Sequence, residues 1–233
     1  MPTIAVISPK GGAGKTTLSN VLATTYSNGG ATVAIMDCDT QKNQKRWKEG
    51  KDGELEVLTK CDIEVVADIT EDDFFPNLKR LCAEKQFVIL DTPGRASLII
   101  SYAIMRADLV LIPVKPSPND IQGAIEAIRL VRREAQVRDR DIKFACVMVE
   151  TPGSDAFKSK IHREFEKFTA EEKVVLLETQ LREREAYRAL FMERVALHEL
   201  DPKQVSSVPK AIANAEDLAG EVFQLLTKIR EAA

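Results

Sequence analysis

The sequence predicts an α/β fold, a mostly parallel twisted β-sheet flanked by helices on both faces. Three observations carry that prediction. Apolar runs of strand length recur along the chain, stretches of helical period separate them, and the runs are apolar almost throughout instead of alternating with polar residues. A strand that is apolar on both sides is covered on both sides, as in parallel sheets whose crossover helices lie on either face.

The strand-like runs fall at 3–7, 32–36, 64–67, 87–90, 109–114, 144–149 and 174–177. After the first comes a glycine-rich turn and then a helical stretch over 18–26. Farther on, Ile121, Ala124, Ile125, Ile128 and Val131 share one helical face, as do Ile212, Ala215, Leu218, Val222, Leu225 and Ile229 near the C-terminus. Both read as faces docked on the sheet. The stretch 39–62 is polar and rich in Lys and Glu, which predicts a solvated helix or insertion between strands. No repeat, low-complexity tract or Pro/Gly/Ser linker divides the chain, so one domain over 1–233 is expected.

A chain of 233 residues with 44% hydrophobic and 30% charged residues can bury a core without disulfides or a structural metal. That composition excludes disordered, collagenous and disulfide-scaffold classes. Thirty-three basic against thirty-six acidic residues leave a net charge of -3, so any contact with DNA must be a local patch. Cys38, Cys61, Cys82 and Cys146 form no C-x-x-C pair, which argues against a zinc site, a redox motif or an iron–sulfur ligand set. His162 and His198 are isolated, with no metal-ligand company, and read as surface or packing residues. The first apolar run is too short for a signal peptide and no segment reaches the roughly 18 apolar residues of a membrane span, so a soluble intracellular protein is expected.

The chemistry concentrates in the turn Pro9-Lys10-Gly11-Gly12-Ala13-Gly14-Lys15-Thr16-Thr17. The pattern G-x-x-x-x-G-K-[ST] fails only at its first position, where Pro9 stands. Glycines at 11, 12 and 14 let successive amide N–H groups curl around phosphate oxygens while the new helix presents its positive end. Lys15 would hold the β and γ phosphates, and Thr16 would give a hydroxyl to Mg²⁺. The run 87–90 ends in Asp91-Thr92-Pro93-Gly94, where a carboxylate at a strand end can reach the Mg²⁺ water shell. Together these specify a P-loop NTPase fold binding a nucleoside triphosphate with magnesium.

Lys10 is the informative departure, because a second lysine early in the loop has no obvious use toward its own nucleotide. With it, the loop resembles that of the ParA/MinD family of deviant Walker ATPases, which reads K-G-G-x-G-K-T. The resemblance implies that Lys10 reaches across an ATP-sandwich homodimer to the partner's phosphates. Asp37-Cys38-Asp39-Thr40-Gln41 is similar to the family's D-x-D-P-Q segment, with Thr40 replacing the proline. Carried over, Asp39 orients or deprotonates the attacking water and helps hold the metal with Thr16 and Asp91, while Asp37 supports the metal side or the loop's shape.

Thr59-Lys60-Cys61-Asp62 matches a T-K-x-D form that reads guanine in some proteins, but it precedes the Asp91 strand, so adenine is predicted. Where the family often has Asn after the sixth strand, this chain has Glu150-Thr151-Pro152. Residues around Leu200-Asp201-Pro202 are expected to flank the adenine, with Pro202 in contact.

The likeness extends over nearly the whole chain, with its specific motifs in the first hundred residues, and it is to short ParA-type partition proteins. It implies a slow ATPase that dimerises on ATP, binds DNA without sequence preference and is stimulated by a ParB-like or other basic partner. Such a protein would be cytoplasmic and nucleoid-associated, positioning plasmid, chromosome or protein cargo. Candidate DNA contacts are Arg182, Arg184, Arg188 and Arg194, with a second cluster at Arg129, Arg132, Arg133, Arg138 and Arg140. Both are interleaved with acids, among them Glu134, Asp139, Glu183 and Glu185, as solvated helix faces are. The C-terminus lacks the basic amphipathic balance of MinD-type membrane helices, so no membrane is expected. The alternatives are a conjugation accessory of VirC type and a metabolic ligase resembling dethiobiotin synthetases; an iron–sulfur carrier lacks its cysteine pair.

Overall fold

The computed structural model describes residues 2–50, 57–95, 97–152 and 160–232. Its strands are β1 (Thr3–Val6), β2 (Val33–Asp37), β3 (Ile63–Val66), β4 (Phe87–Asp91), β5 (Leu109–Val114), β6 (Phe144–Thr151), β7 (Val175–Leu176) and β8 (Leu181–Arg182). Between and after them come α1 (Lys15–Asn28), α2 (Asn43–Glu49), α3 (Phe74–Glu84), α4 (Leu98–Arg106), α5 (Pro118–Val137), α6 (Lys160–Glu171), α7 (Glu185–Met192) and α8 (Val208–Glu231). The sheet runs in the order β3-β2-β4-β1-β5-β6-β7, with β8 beside β6, and every pairing is parallel.

Alternation along the strands divides the core in two. Ile4, Val6, Val33, Ile35, Ile89, Leu109, Leu111 and Val147 point to the face covered by α1, α2, α7 and α8. Their neighbours Ala5, Ile7, Ala34, Met36, Val88, Leu90, Val110 and Cys146 point to the face covered by α3, α4, α5 and α6. This is why the strands read as continuous apolar runs: the side-chain period is two, and both faces are buried. At the centre β1 lies between β4 and β5, so the chain leaves it in opposite directions and opens a crevice at the carboxyl ends. The phosphate-loop motif sits at that point.

The seven expected strands are present, with shifts of one or two residues at their ends. β8 is an addition, two residues long and paired to β6 through Val149 and Leu181. The polar stretch 39–62 holds the expected helix between strands, though not a wholly solvated one. Its first half is α2, and Trp47 on that helix is 1% exposed, with its indole N–H donating to the Val195 carbonyl at 3.2 Å. The polar composition conceals one large anchor, and 51–56 lie outside the described residues. The C-terminal helix α8 docks as its apolar face predicts, burying Ala211, Ala215, Leu218, Val222 and Leu226, and the Tyr26 hydroxyl of α1 donates to Ala219 O at 3.0 Å. Among the described residues, no helix is long and apolar enough to cross a membrane.

Replacing Trp47 by Ala empties an indole-sized space beside α1 and removes the tie to Val195. Urea denaturation should show a loss of about 3–5 kcal/mol, the usual cost of deleting a buried aromatic side chain, whereas the neighbouring exposed Arg46→Ala should change stability little.

Candidate nucleotide-binding site

The loop from Ser8 to Gly14 leaves the end of β1 and enters α1. Gly12 and Gly14 have φ of 76° and 90°, a region closed to most side chains, and a Cβ on Gly14 would also stand 3.0 Å from Val149 Cγ2. Gly14 is the residue before α1, and its carbonyl accepts from Leu18 N at 2.9 Å, so the first turn begins with its free amides facing the loop. Lys15 is only 6% exposed, and its ammonium donates to the Lys10 carbonyl at 3.3 Å. Burial lowers its pKa, and the charges of Asp91 and Asp39 oppose that shift.

Across from the loop, β2 and β4 end side by side with Asp37 paired in register to Asp91. Both carboxylates are 1% exposed. Burial raises Asp91 to about 7, assisted by the Asp37 charge and opposed by Gln44, Lys15 and the Thr16 hydroxyl. Burial likewise raises Asp37 to about 6, against backbone donors from Lys45, Asp39 and Gln44. Asp37 Oδ2 accepts from Gln44 N at 2.9 Å and Lys45 N at 3.2 Å, which makes it the cap of α2. Asp39 lies half-buried at the cleft rim, bracing its own turn by accepting from Gln41 N at 2.9 Å.

Gln44 joins these parts. Its amide donates to Thr16 O at 2.8 Å and Asp91 Oδ2 at 3.0 Å, and its carbonyl accepts from Asn20 Nδ2 at 3.0 Å. Among the described residues, the other oxygen of Asp91, Oδ1, is buried with no hydrogen-bond partner. An orphaned carboxylate oxygen beside the Thr16 hydroxyl suits a hydrated divalent cation, because hard cations take oxygen ligands and keep several waters. The turn after Asp91 closes the site. A Cβ on Gly94 would stand 2.9 Å from Gly11 Cα and 3.3 Å from Lys15 Nζ, so only glycine fits there.

These groups surround a cleft of about 460 Å³ lined by Gly11, Gly12, Gly14, Lys15, Thr16 and Thr17 on one side, with Asp39, Gly94 and Glu150 opposite. Ala13 is buried beneath the loop. A small side cavity shares Gly14, Thr17 and Glu150 with the cleft and is otherwise lined by Val149, Tyr187 and the run Leu181, Arg182, Glu183 and Arg184, with Arg188. Pro202, expected beside the base, is exposed in the turn before α8 and lines neither space; the groups next to the loop come from β6 and the β8–α7 turn. Glu150, with φ of 51° and an ion pair to Lys115 at 2.7 Å, stands where an Asn was expected.

Lys10 is not free in this chain: its ammonium pairs with Asp120 Oδ1 at 2.8 Å, and Asp120 is held by Ser117 at the start of α5. The expected arginine strips are partly committed to the fold. Arg182 donates to Pro152 O at 3.0 Å, Arg188 pairs with Glu183, and Arg184 Nε is buried without a hydrogen-bond partner. Arg194 closes α7 in a left-handed conformation, with φ of 57°. In the second cluster Arg132 pairs with Glu172, Arg138 with Glu134, and Arg140 donates to Met105 O, while Arg129 and Arg133 are exposed. Gln44, Asn20 and Asp120 carry no motif and were not expected at the site.

Comparison with known proteins matches this arrangement. The family model described as VirC1 protein matches residues 1–227. Protein ParA of Rhizobium radiobacter is 35% identical over 98% of this chain and 99% of its own length. Maintenance of carboxysome distribution protein A of Halothiobacillus neapolitanus is 28% identical over 97% of this chain and 95% of its own. A solved complex of a Cyanothece McdA variant with ATP shares the fold, with a TM-score of 0.75 at 18% identity over 95% of this chain and 96% of that one. With its cradle, buried lysine and paired strand-end carboxylates, the chain belongs to the VirC1 family, within the ParA/MinD-type P-loop ATPases.

Proposed function

We propose that this protein is an ATP-switched positioning ATPase that joins a second copy of itself on binding ATP, contacts DNA without sequence preference in that state, and lets go after hydrolysis stimulated by a partner protein. The observation that carries the reading is the free oxygen of Asp91, buried beside Thr16 and Lys15 beneath a glycine cradle. A catalyst of phosphoryl transfer has little covalent work to do, and its task is to position and to neutralise charge.

In that task the glycine amides and Lys15 would hold the phosphates. The Thr16 hydroxyl and the Asp91 oxygen, the latter through a water, are the groups that would hold magnesium. When bound, the ion supplies positive charge against the β and γ oxygens. Asp39, at the rim, is placed to orient the attacking water. Adenine would enter the side cavity, against Val149 and Leu181. Lys10 would exchange Asp120 for a phosphate across the dimer. That exchange would start from a pair whose lysine side chain is 41% exposed and whose carboxylate, 11% exposed, keeps the Ser117 hydroxyl as a donor. Two apposed copies would double the exposed basic groups Arg129 and Arg133, and Arg188 once it leaves Glu183, giving phosphate contacts that one copy of net charge -3 lacks.

A second reading of the cargo follows from the family model. A VirC1-type conjugation accessory would use the same switch on a DNA-transfer complex. The two readings differ in which partner stimulates hydrolysis and share the site.

Lys15→Ala should lower ATP turnover by at least about a hundredfold, of the order seen when a charge-stabilising donor is removed, as a phosphate-release assay would record. In size-exclusion chromatography with ATP and Mg²⁺, Asp39→Ala should elute as a persistent dimer and Lys10→Ala as a monomer; a monomeric Asp39→Ala or an undiminished Lys10→Ala dimer would count against the sandwich. Stability should also depend on pH in the absence of nucleotide and divalent ions. Asp37 and Asp91 have folded pKa values raised to about 6 and about 7, so the folded state binds more protons than the unfolded one between about pH 4 and 7. Stability contributed by these groups therefore falls as pH rises through that window. Calorimetry should find Tm higher at pH 5.5 than at 7.5 by at least about 2 °C, the shift that roughly 1 kcal/mol gives at this size, and Asp91→Asn should flatten the slope.

A further inference from the structure

At the opposite end of the sheet, the residue pattern dismissed as a chance T-K-x-D match has a structural partner. Thr59 to Cys61 lead into β3 at its amino end, whereas the nucleotide cleft lies at the carboxyl ends. The one-turn 3₁₀ helix Leu197–Glu199 packs against them. Cys61 Sγ and His198 Nε2 are 3.7 Å apart, across 137 residues of sequence. The ligand atoms of Cys61, His198 and Glu199 all lie within 4.8 Å of one another.

We propose that Cys61, His198 and Glu199 form a transition-metal site, of the kind that takes zinc, which pins the segment leading into β3 to the turn that precedes α8. The separation of sulfur and nitrogen fits. Zinc bonds of about 2.3 Å to sulfur and about 2.0–2.1 Å to nitrogen at a tetrahedral angle place the two atoms about 3.5 Å apart. The carboxylate fits too. Glu199 Oε2 accepts from the Thr59 hydroxyl and Ala196 N, both at 2.7 Å, which fills its two lone pairs. Among the described residues Oε1 accepts only from Lys60 N, at 2.5 Å, and keeps one lone pair for a metal. Three donors thus hold the carboxylate in place beforehand, as outer-shell groups do in metal centres.

Charge and access agree with the geometry. One thiolate and one carboxylate neutralise a divalent ion, and an imidazole adds no charge. Cys61 is 7% exposed while His198 is exposed, so the sulfur lies in the floor and the imidazole at the mouth. Cys61 is a free cysteine, its sulfur a thiol. On binding, the S–H proton leaves to solvent and the sulfur takes the metal in its place, with the fourth position filled by water. The nearby cationic group is Lys48, whose ammonium donates to the Cys61 carbonyl at 2.9 Å. The site stands apart from the nucleotide reading and does not rest on it.

Cobalt titration of the full chain, with excess Mg²⁺ to satisfy the cleft carboxylates, is the test. The wild-type protein should take up one equivalent of Co²⁺ with a thiolate-to-cobalt charge-transfer band in the near ultraviolet, release one proton, and lose the band when Zn²⁺ is added. Cys61→Ser should abolish the band, His198→Asn should weaken binding at least about tenfold, and Cys82→Ser should leave it intact. Absence of the band in wild type, or its persistence in Cys61→Ser, would overturn the proposal. Should Cys61→Ser fail to fold by circular dichroism, the exposed His198→Asn decides alone, and unchanged affinity there refutes the site.

Discussion

Asp37 and Asp91 stand side by side at the ends of two neighbouring strands, both cut off from water, and the nucleotide end of the molecule is organised around the cost of keeping them there. Two carboxylates in that position repel each other and resist ionisation. The protein meets the cost from three directions. The start of α2 gives Asp37 two backbone donors, Gln44 gives Asp91 an amide, and Lys15 brings a buried positive charge. What remains unmet is one oxygen of Asp91, which leaves a need that a cation can fill. The folded chain is therefore prepared for its ligand electrostatically, in the sense that the ligand removes a strain the fold already carries.

The same constraint accounts for residues that no motif marks. Gln44 is a neutral side chain with two donors and an acceptor, and it ties α1, α2 and β4 together through Thr16, Asn20 and Asp91 without adding charge. A lysine there would neutralise the acid pair permanently, and a glutamate would worsen it. An amide is the group that positions the carboxylate while leaving its charge for the nucleotide.

Much of this was legible in the sequence. The strands stood out because parallel sheets bury both faces, and the phosphate loop stood out because its glycines and lysine are required at fixed spacing. Other features were hidden for physical reasons. Trp47 sits in a polar run, where one buried face of a short helix leaves no periodic trace. β8 is two residues long, too short for any pattern. Pro202 was placed near the base by likeness alone; it is exposed before α8, and Arg182 and Arg184 line the space beside the phosphate loop. The arginine clusters looked like candidate strips because sequence shows charge and not its partner, and Arg132, Arg138 and Arg188 have carboxylates of their own. Spacing rules for cysteine ligands see only local pairs, so Cys61 and His198 could not be associated before the fold brought them together.

The turn after Asp91 meets the phosphate loop backbone to backbone, because Gly94 and Gly11 leave no room for a side chain between them. Side chains cushion most contacts between loops, since they can rotate away when one loop shifts. Here that slack is missing. The two segments behave as meshed teeth: a shift of the Thr92-Pro93-Gly94 turn pushes directly on the backbone at Gly11, and a shift of the loop pushes back on the turn, with no side chain between them to absorb either.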